Sequence, residues 1–296
     1  GKHIITSKIE HPAILHSCQN LEKKGFEVTY LDVDKDGFVN LQTLENSIRQ
    51  DTILISVMFA NNEIGTIEPI QEIAKIAHKN GIIFHTDAVQ ACGNIPIDVQ
   101  KMDIDMLSLS GHKIYAPKGI GALYVKKGIE FERFMDGGHQ EKNKRSGTEN
   151  VAEIVALGKA CQIAEKNMEQ YQNKLKLLRD YCLEKMKKSF SNIHINGTME
   201  KRLPGNINIS FEGQDATELL YKLDEMGICA SGGSACSSGD NSPSHVLTAI
   251  GLPSELAKGA IRFTFGDFNT KDDVDYLIAA IAHLIPSTAA DIIPPA

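Results

Sequence analysis

Short apolar runs alternate with amphipathic segments from the start of the chain as far as Val125. Runs of this kind, bounded by Gly, Asn and Asp, are typical of buried strands, whereas apolar residues at helical spacing predict helices. The predicted strands cover residues 2–6, 25–31, 52–59, 82–86, 106–109 and 120–125, and the predicted helices cover 12–25, 41–49 and 70–79. This alternation predicts an α/β fold in which helices flank a mostly parallel sheet.

The pattern changes after Val151, where a helical and highly charged stretch extends to about Phe190. We predict a long connecting helix there, followed by a second helix over 172–188. Further on, strands are predicted over 206–211, 229–230 and 260–264, and helices over 217–226, 243–250 and 271–284. The change predicts a larger domain (1–165), a smaller C-terminal α+β domain (166–286) and a loose tail (287–296).

Charge and cysteine usage exclude several classes of protein. The net charge is −7, the pI is near 5.8 and no basic run stands out, which argues against a nucleic-acid or anionic-membrane surface. No apolar stretch has the length of a transmembrane helix. The six cysteines are scattered, without a Cys-x-x-Cys pair. We therefore expect a cytoplasmic protein with reduced thiols and no metal site.

Polar side chains follow three of the predicted strands directly. They are Asn61-Asn62, Asp87 and the turn Ser110–Lys113. Because ligands of open α/β sheets bind beyond the carboxyl ends of the strands, we expect these residues to share one crevice. Lys113 is either a solvated loop lysine or an amine that forms a Schiff base with a carbonyl compound. The turn by itself leaves both interpretations open.

A second informative stretch is the loop Ala230–Gly239, which consists of small residues around Cys236. Such residues cannot build a core, and exposed surroundings suit a cysteine that must travel to its target. A reactive thiol and an ordinary loop cysteine remain equal alternatives at this point. Metal binding is not expected, since no second ligand lies at a usable spacing.

Several motifs, taken together, resemble a known family. They are Asn61–Gly65, His85–Gln90, Ser110–Lys113, Arg145–Asn150, Gly233–Cys236 and Ile261–Thr264. In this order they resemble the cysteine desulfurases of the NifS/IscS type, which are pyridoxal 5'-phosphate (PLP) enzymes of fold type I in the class V aminotransferase group. The resemblance covers residues 2–285 and implies that the larger domain binds PLP.

The resemblance implies a role for each residue of the PLP site. Lys113 would hold the cofactor covalently and move the α-proton of the substrate, and Asp87 would keep the pyridine nitrogen protonated. The other implied contacts are the ring face for His11, the phenolic oxygen for Gln90, and the phosphate for Ser110, His112 and, across a dimer interface, Thr148. The family therefore also implies a homodimer.

The resemblance also implies the substrate and the nucleophile. Asn62 and Arg262 would bind the carboxylate of L-cysteine, Arg262 in a bidentate manner. Cys236 would take the sulfur as a persulfide and release alanine, with His11 as an acid or base near that sulfur. The sulfur would then pass to an iron–sulfur scaffold protein or another acceptor. The surroundings of Cys236 favour the NifS/IscS branch over the SufS branch.

The chain departs from the family pattern at its start. A Gly-x-Thr-type phosphate-binding turn does not precede Gly1, so we expect either a piece of a longer enzyme or a segment supplied by another chain. Two alternatives to the desulfurase remain. One is another PLP enzyme of this fold, such as a selenocysteine lyase or an aminotransferase. The other is an inactive fragment that binds sulfur-transfer partners.

Overall fold

A computed structural model describes residues 1–233 and 244–285. Its strands are β1 (His3–Ser7), β2 (Glu27–Leu31), β3 (Thr52–Ser56), β4 (Ile83–Asp87), β5 (Met106–Ser110), β6 (Gly121–Val125), β7 (Ile193–Ile195), β8 (Asn206–Phe211) and β9 (Ala260–Thr264). Its helices are α1 (Pro12–Glu22), α2 (Leu41–Asn46), α3 (Ile70–Lys79), α4 (Gln140–Asn143), α5 (Val151–Ser189), α6 (Ala216–Glu225), α7 (His245–Ala249), α8 (Ser254–Lys258) and α9 (Lys271–Leu284). No helix in these ranges is long and apolar enough to span a membrane.

The first six strands form one sheet in the order β2-β1-β3-β4-β5-β6. All neighbours are parallel except β5 and β6, which are antiparallel. The connection between β5 and β6 contains only a 3₁₀ turn, Gly111–Ile114, and it lacks the crossover helix that usually joins parallel strands. The predicted α/β fold with a mostly parallel sheet is confirmed.

The core of the larger sheet lies between its strands and the helices that cover them. Ile55 and Phe84, on β3 and β4, are fully buried. Helix α3 covers them with an apolar face at helical spacing, formed by Ile70, Ile73, Ala74 and Ala77. Each large apolar side chain buried in this way contributes about 1.5–3 kcal/mol. This packing holds the ends of the strands in fixed positions.

The smaller sheet has the antiparallel order β7-β8-β9. Helices α6 and α9 pack on it together with the second half of α5, which contributes Leu175 and Leu178. The first half of α5 packs on Ile114 of the larger domain through Leu157 and Ala160. Helix α5 is thus shared by both halves of the molecule, and the division at residue 165 remains a prediction.

Two predictions about this half of the chain are wrong. Residues 151–189 form one helix of 39 residues rather than two, because no Gly or Pro stands between 159 and 188 to end it. Residues 229–230 are not a strand. Instead, the neighbouring Ser231 forms a single bridge to Arg262, because the flanking glycines 227, 232 and 233 do not sustain strand pairing.

The segment 61–67, here called the interdomain segment, joins the two halves. The Gly65 carbonyl accepts a hydrogen bond from the Leu203 N–H at 2.8 Å, and the side-chain amides of Asn206 and Asn208 both donate to the Glu63 carbonyl at 3.2 Å. Gly65 has a φ of +75°, and a Cβ there would lie 2.6 Å from Asn206 Oδ1. Glycine is therefore required at this position both by the backbone conformation and by the close approach.

Candidate active site

Three of the predicted site residues lie where parallel strands end. Asp87 is the last residue of β4, and Ser110 is the last residue of the neighbouring strand β5. His11 follows β1 and precedes α1, where its Nδ1 accepts the Ala13 N–H at 3.2 Å and Pro12 occupies the first turn. Because the carboxyl ends of parallel strands share one edge of the sheet, these side chains belong to one crevice.

Asp87 is the buried acid of this crevice. Its side chain is 8% exposed, and Oδ1 accepts the Val89 N–H at 2.9 Å. Burial raises the pKa of the Asp87 carboxyl, while the Val89 N–H and the charge of His11 oppose the rise. A buried carboxylate is stabilised when a cation comes into contact with it. The protonated ring nitrogen of a pyridine cofactor is such a cation, so Asp87 fits PLP.

Lys113 lies in the 3₁₀ turn Gly111–Ile114 and is exposed. Gly111 passes so close to the next strand that a Cβ there would lie 3.0 Å from the Ile120 carbonyl oxygen. The turn ends at Tyr115, which has a φ of +65°. Its backbone is therefore strongly constrained, and Lys113 projects from a fixed base.

The electrostatic surroundings of His11 link it to two other site residues. Burial is the main cause that lowers the pKa of the His11 imidazole, and the charges of Lys113 and His245 lower it further. The charge of Asp87 acts in the opposite direction. The three residues His11, Asp87 and Lys113 are thus within electrostatic reach of one another. At neutral pH the lowered pKa keeps His11 uncharged and able to accept a proton.

Ser110 and His112 lie on either side of the end of β5. Ser110 Oγ and His112 Nδ1 share a hydrogen bond of 2.8 Å, and His112 is exposed. One hydrogen lies between these two atoms, and the donor that remains, either the hydroxyl or the other ring N–H, can donate to an anion. This donor chemistry fits a phosphate group.

Asn62 and Arg262 are brought together although 200 residues separate them. Arg262, on β9, donates from Nη1 to the Asn62 carbonyl at 2.8 Å. Among the described residues, the buried Asn62 Oδ1 has no hydrogen-bond partner. An amide oxygen is an acceptor, so the partner that it lacks is a donor group and not a carboxylate. The structure places the predicted pair for a substrate carboxylate side by side.

The remaining predicted residues are less closely tied to the crevice. Gln90 is half-buried in the turn after β4, where its carbonyl accepts Asn94 Nδ2 at 3.0 Å. Thr148 is exposed in the loop before α5. Cys236 lies outside the described residues. The roles assigned to these three residues remain predictions.

A cavity of about 270 Å³ lies beside Lys113, on the side of the turn that faces α5. Tyr115, Tyr171 and Asp267 are among its lining residues, whereas Asp87 and His11 are not. The Tyr115 hydroxyl shares a hydrogen bond of 3.1 Å with the Tyr171 hydroxyl and accepts the Asp267 N–H at 2.9 Å. The cavity borders Lys113 but neither Asp87 nor His11, and it is therefore distinct from the crevice at the strand ends.

Two buried glutamates next to the site were missed by sequence reasoning. Glu10 is fully buried, and its Oε1 accepts from Ser7 Oγ at 2.8 Å and from the Met58 N–H at 2.7 Å. Burial raises the pKa of Glu10 to about 8. Glu63 is equally buried, and Ser244 Oγ donates to its Oε2 at 2.5 Å. The only signal in the sequence is a charged residue inside an otherwise apolar or amide-rich stretch.

Comparisons with known proteins agree with this geometry. The family model for aminotransferase class-V matches residues 1–277. The chain is 52% identical to the cysteine desulfurase IscS of Dictyoglomus turgidum, over 96% of this chain and 72% of that protein. It is 53% identical to the cysteine desulfurase IscS of Methanosarcina thermophila, over 96% of this chain and 70% of that protein.

Solved structures give the same result. A structure named NifS-like protein superposes with a TM-score of 0.89 at 36% identity, covering 96% of this chain and 74% of the other. The NifS-like protein of Rickettsia africae superposes with a TM-score of 0.87 at 33% identity, covering 96% and 75%. The resemblance inferred from the motifs is therefore confirmed, and this chain belongs to the aminotransferase class-V family.

Proposed function

We propose that this chain is a PLP-dependent cysteine desulfurase, which converts L-cysteine to L-alanine and takes up the sulfur. The family and the named relatives support the reaction class. Two observations support the proposal: the contact of Arg262 with Asn62, and the charges of Asp87 and Lys113 that both act on His11. The Arg262 guanidinium can bind an amino-acid carboxylate, whereas Asp87 and Lys113 suit a pyridine cofactor and its linkage to an amine.

PLP, when bound, supplies an electron sink that stabilises negative charge on the substrate α-carbon. Asp87 would pair with its ring nitrogen, and Lys113 would hold it covalently. Ser110 and His112 would donate to the phosphate. Gln90 would bond the phenolic oxygen, and His11 would lie on the ring face.

The residues near the substrate act on its carboxylate, its α-proton and its sulfur. Arg262 and Asn62 orient the carboxylate, Arg262 through charge-assisted hydrogen bonds. The Lys113 amine takes the proton from the α-carbon. The neutral His11 holds or moves a proton at the substrate sulfur, which its lowered pKa permits at neutral pH.

Cys236 is the proposed nucleophile. Its thiolate forms an S–S bond with the substrate sulfur while the C–S bond of the substrate breaks. The electron pair of the broken bond stays with carbon, which is then protonated to give alanine. The persulfide left on Cys236 passes its outer sulfur to a second thiol, which we propose to belong to an iron–sulfur scaffold protein or another acceptor.

The assembly and location of the enzyme are part of the same proposal. We propose a homodimer in which Thr148 of one protomer contacts the phosphate bound by the other. The exposed position of Thr148, in the loop before α5, is compatible with such a contact. The net charge of −7 and the scattered cysteines favour a cytoplasmic location.

An absorption experiment tests the proposal. The purified chain is mixed with PLP, its visible spectrum is recorded before and after L-cysteine, and alanine and sulfide are measured in the presence of a reducing thiol. We expect a visible band that changes with L-cysteine, and alanine and sulfide in equal amounts. Lys113→Ala should lose the band, whereas Cys236→Ala should keep it and lose sulfide release.

Other outcomes separate the alternatives. Rapid desulfuration by Cys236→Ala would remove the assigned nucleophile. Release of selenium from selenocysteine without activity on L-cysteine would favour a selenocysteine lyase, and amino-group transfer to a keto acid would favour an aminotransferase. Absence of any cofactor band would favour an inactive fragment that binds sulfur-transfer partners.

A further inference from the structure

Glu63 lies between the two ends of the segment that carries Cys236. Ser244, directly after residues 234–243, donates from Oγ to Glu63 Oε2 at 2.5 Å. Gly233, directly before them, is so close that a Cβ there would lie 3.5 Å from the same oxygen and 3.1 Å from Ser244 Cβ. One buried carboxylate oxygen therefore lies next to both ends.

The direction of the Ser244 hydrogen bond follows from its other contacts. Ser244 Oγ accepts the backbone N–H groups of Val246 and Leu247, at 3.1 and 3.3 Å, and so caps α7. The hydroxyl hydrogen remains available for donation, and Glu63 Oε2 receives it. Loss of the carboxylate would thus remove the acceptor without removing the cap.

The interdomain segment holds Glu63 in place from the other side. Asn61 Oδ1 accepts the N–H of Glu63 at 2.8 Å and that of Ile64 at 3.0 Å, while Asn61 Nδ2 donates to the Ile9 carbonyl. The side chains of Asn206 and Asn208 donate to the Glu63 carbonyl. The backbone of Glu63 is therefore fixed, and its carboxylate is a rigid attachment point.

Other hydrogen bonds and packing contacts also hold the residues on both sides of 234–243. After the segment, His245 Nε2 donates to the Glu10 carbonyl at 2.9 Å, and Val246 packs with Ile9 and Ile64 in one buried cluster. Before the segment, Ser231 exchanges backbone hydrogen bonds with Arg262, whose guanidinium binds the Asn62 carbonyl. Glu63 lies between these two attachments.

We infer that Glu63 is a positioning residue for Cys236: by holding Ser244 beside Gly233, it sets the span that residues 234–243 must bridge. The inference rests on the proposed function, in which Cys236 must reach the substrate sulfur. In this inference Glu63 acts through Ser244 and not through a contact with the substrate or the cofactor. Because reaction rates depend steeply on the placement of the attacking atom, a looser attachment should slow sulfur transfer while leaving substrate binding intact.

The attachment depends on a buried acceptor oxygen at position 63. Burial raises the pKa of Glu63, while the Ser244 hydrogen bond and the charges of His245 and Arg262 act against the rise. Glu63 Oε1 has no hydrogen-bond partner among the described residues. An amide of the same shape still presents one acceptor oxygen to Ser244, so Glu63→Gln should retain the attachment and Glu63→Ala should lose it.

The test compares Glu63→Ala and Ser244→Ala with the conservative variants Glu63→Gln and Ser244→Thr in the PLP-loaded chain. A single turnover with L-cysteine is followed by the change in the visible band and, after alkylation, by mass spectrometry of the Cys236 persulfide. We expect the alanine variants to form the persulfide at least about tenfold more slowly. The L-cysteine concentration that gives half of the maximal spectral change should stay the same. The conservative variants should restore the rate.

Glu68→Ala is the matched control for removal of a buried glutamate. Glu68 is 3% exposed, accepts the Val39 N–H at 3.1 Å and has a second oxygen without a partner among the described residues. The Glu68→Ala variant should leave the rate of persulfide formation, per folded and PLP-loaded chain, unchanged. If Glu68→Ala slows persulfide formation as much as Glu63→Ala, or if Glu63→Ala leaves it unchanged, the inference is wrong.

Hydrogen exchange separates this inference from the proposed function. Glu63→Ala should speed amide exchange in residues 244–250, and Glu68→Ala should not. This readout does not require activity. Unaltered exchange in Glu63→Ala would overturn the inference even in an active enzyme, whereas a parent chain that makes no sulfide would overturn the proposed function alone.

Discussion

Arg262 Nη1 lies 2.8 Å from the Asn62 carbonyl oxygen and donates a hydrogen bond to it across the boundary between the two sheets. Arg262 belongs to β9 of the smaller sheet, and Asn62 follows β3 of the larger one. The contact fixes the guanidinium against the segment that follows β3. It also makes the proposed substrate binding by Arg262 dependent on the packing of the two halves of the molecule.

Arg262→Ala should raise KM for L-cysteine by roughly 10- to 100-fold, since a charge-assisted hydrogen bond contributes about 1.5–3 kcal/mol. Initial rates over a range of L-cysteine concentrations measure the effect. Arg49→Ala is the control, because Arg49 pairs with Glu27 and Asp51 on the surface, at the other end of the strands. An unchanged KM in Arg262→Ala would contradict the assigned role.

Asp87→Asn should weaken PLP retention and lower kcat, because an amide cannot pair with a protonated ring nitrogen as a carboxylate does. We expect a loss of affinity of roughly tenfold or more, from a charge-assisted bond of about 1.5–3 kcal/mol. Titration of the visible band with PLP measures it. Asp136→Asn, at a residue whose side chain is 95% exposed, should behave like the parent; equal PLP affinity in Asp87→Asn would argue against the pairing.

Glu10→Gln should stabilise the protein at pH 8 and have little effect at pH 4. Burial raises the pKa of Glu10 from 4.5 to about 8, so the unfolded chain loses this proton at a lower pH than the folded chain. The stabilising effect of the protonated carboxyl is complete below about 4.5 and is lost as pH rises through 8.

The gain at pH 8 has an upper limit of about 4–5 kcal/mol for this shift. Urea unfolding at both pH values measures it. Glu72→Gln, on the exposed side of α3, provides the comparison for removal of a surface carboxylate. A Glu10→Gln variant whose effect on stability is the same at both pH values would indicate that folding does not raise the pKa of Glu10.

Gly65→Ala should destabilise the fold by roughly 2–4 kcal/mol, since left-handed backbone and a close contact each add to the loss. Its added Cβ would lie 2.6 Å from Asn206 Oδ1. Gly81→Ala is a matched control, because Gly81 also has a positive φ but nothing lies within 4 Å of a Cβ there. Thermal unfolding of both variants measures the difference. Equal losses of stability would mean that the Asn206 side chain moves away from the added Cβ without a cost in free energy.

Much of the local structure could be predicted from the sequence. The predicted bounds of α3, β8, β9 and α9 agree with the structure, because apolar periodicity and end signals such as the Thr270 cap are properties of neighbouring residues. The positions of Asp87 and Ser110 at strand ends followed from the same reasoning. Their placement in one crevice then needed only the general rule for parallel sheets.

Other features depended on residues far apart in the chain. The lack of Gly and Pro between 159 and 188 permits one continuous helix α5, but apolar periodicity predicted two helices there, because the two halves of α5 pack on different cores. The sequence pattern does not reveal that β6 runs antiparallel to β5.

By itself, the sequence determined the alternation of strands and helices in the larger domain, the family and the chemical types available at the strand ends. Only the tertiary structure decided the direct contacts: the Arg262 guanidinium bonds the Asn62 backbone carbonyl, and Ser244 bonds the Glu63 carboxylate 181 residues away. The physical reason is that periodicity is a local property, whereas such contacts depend on how both halves of the chain pack against each other. A buried carboxylate acquires its role from the partner that this packing brings to it.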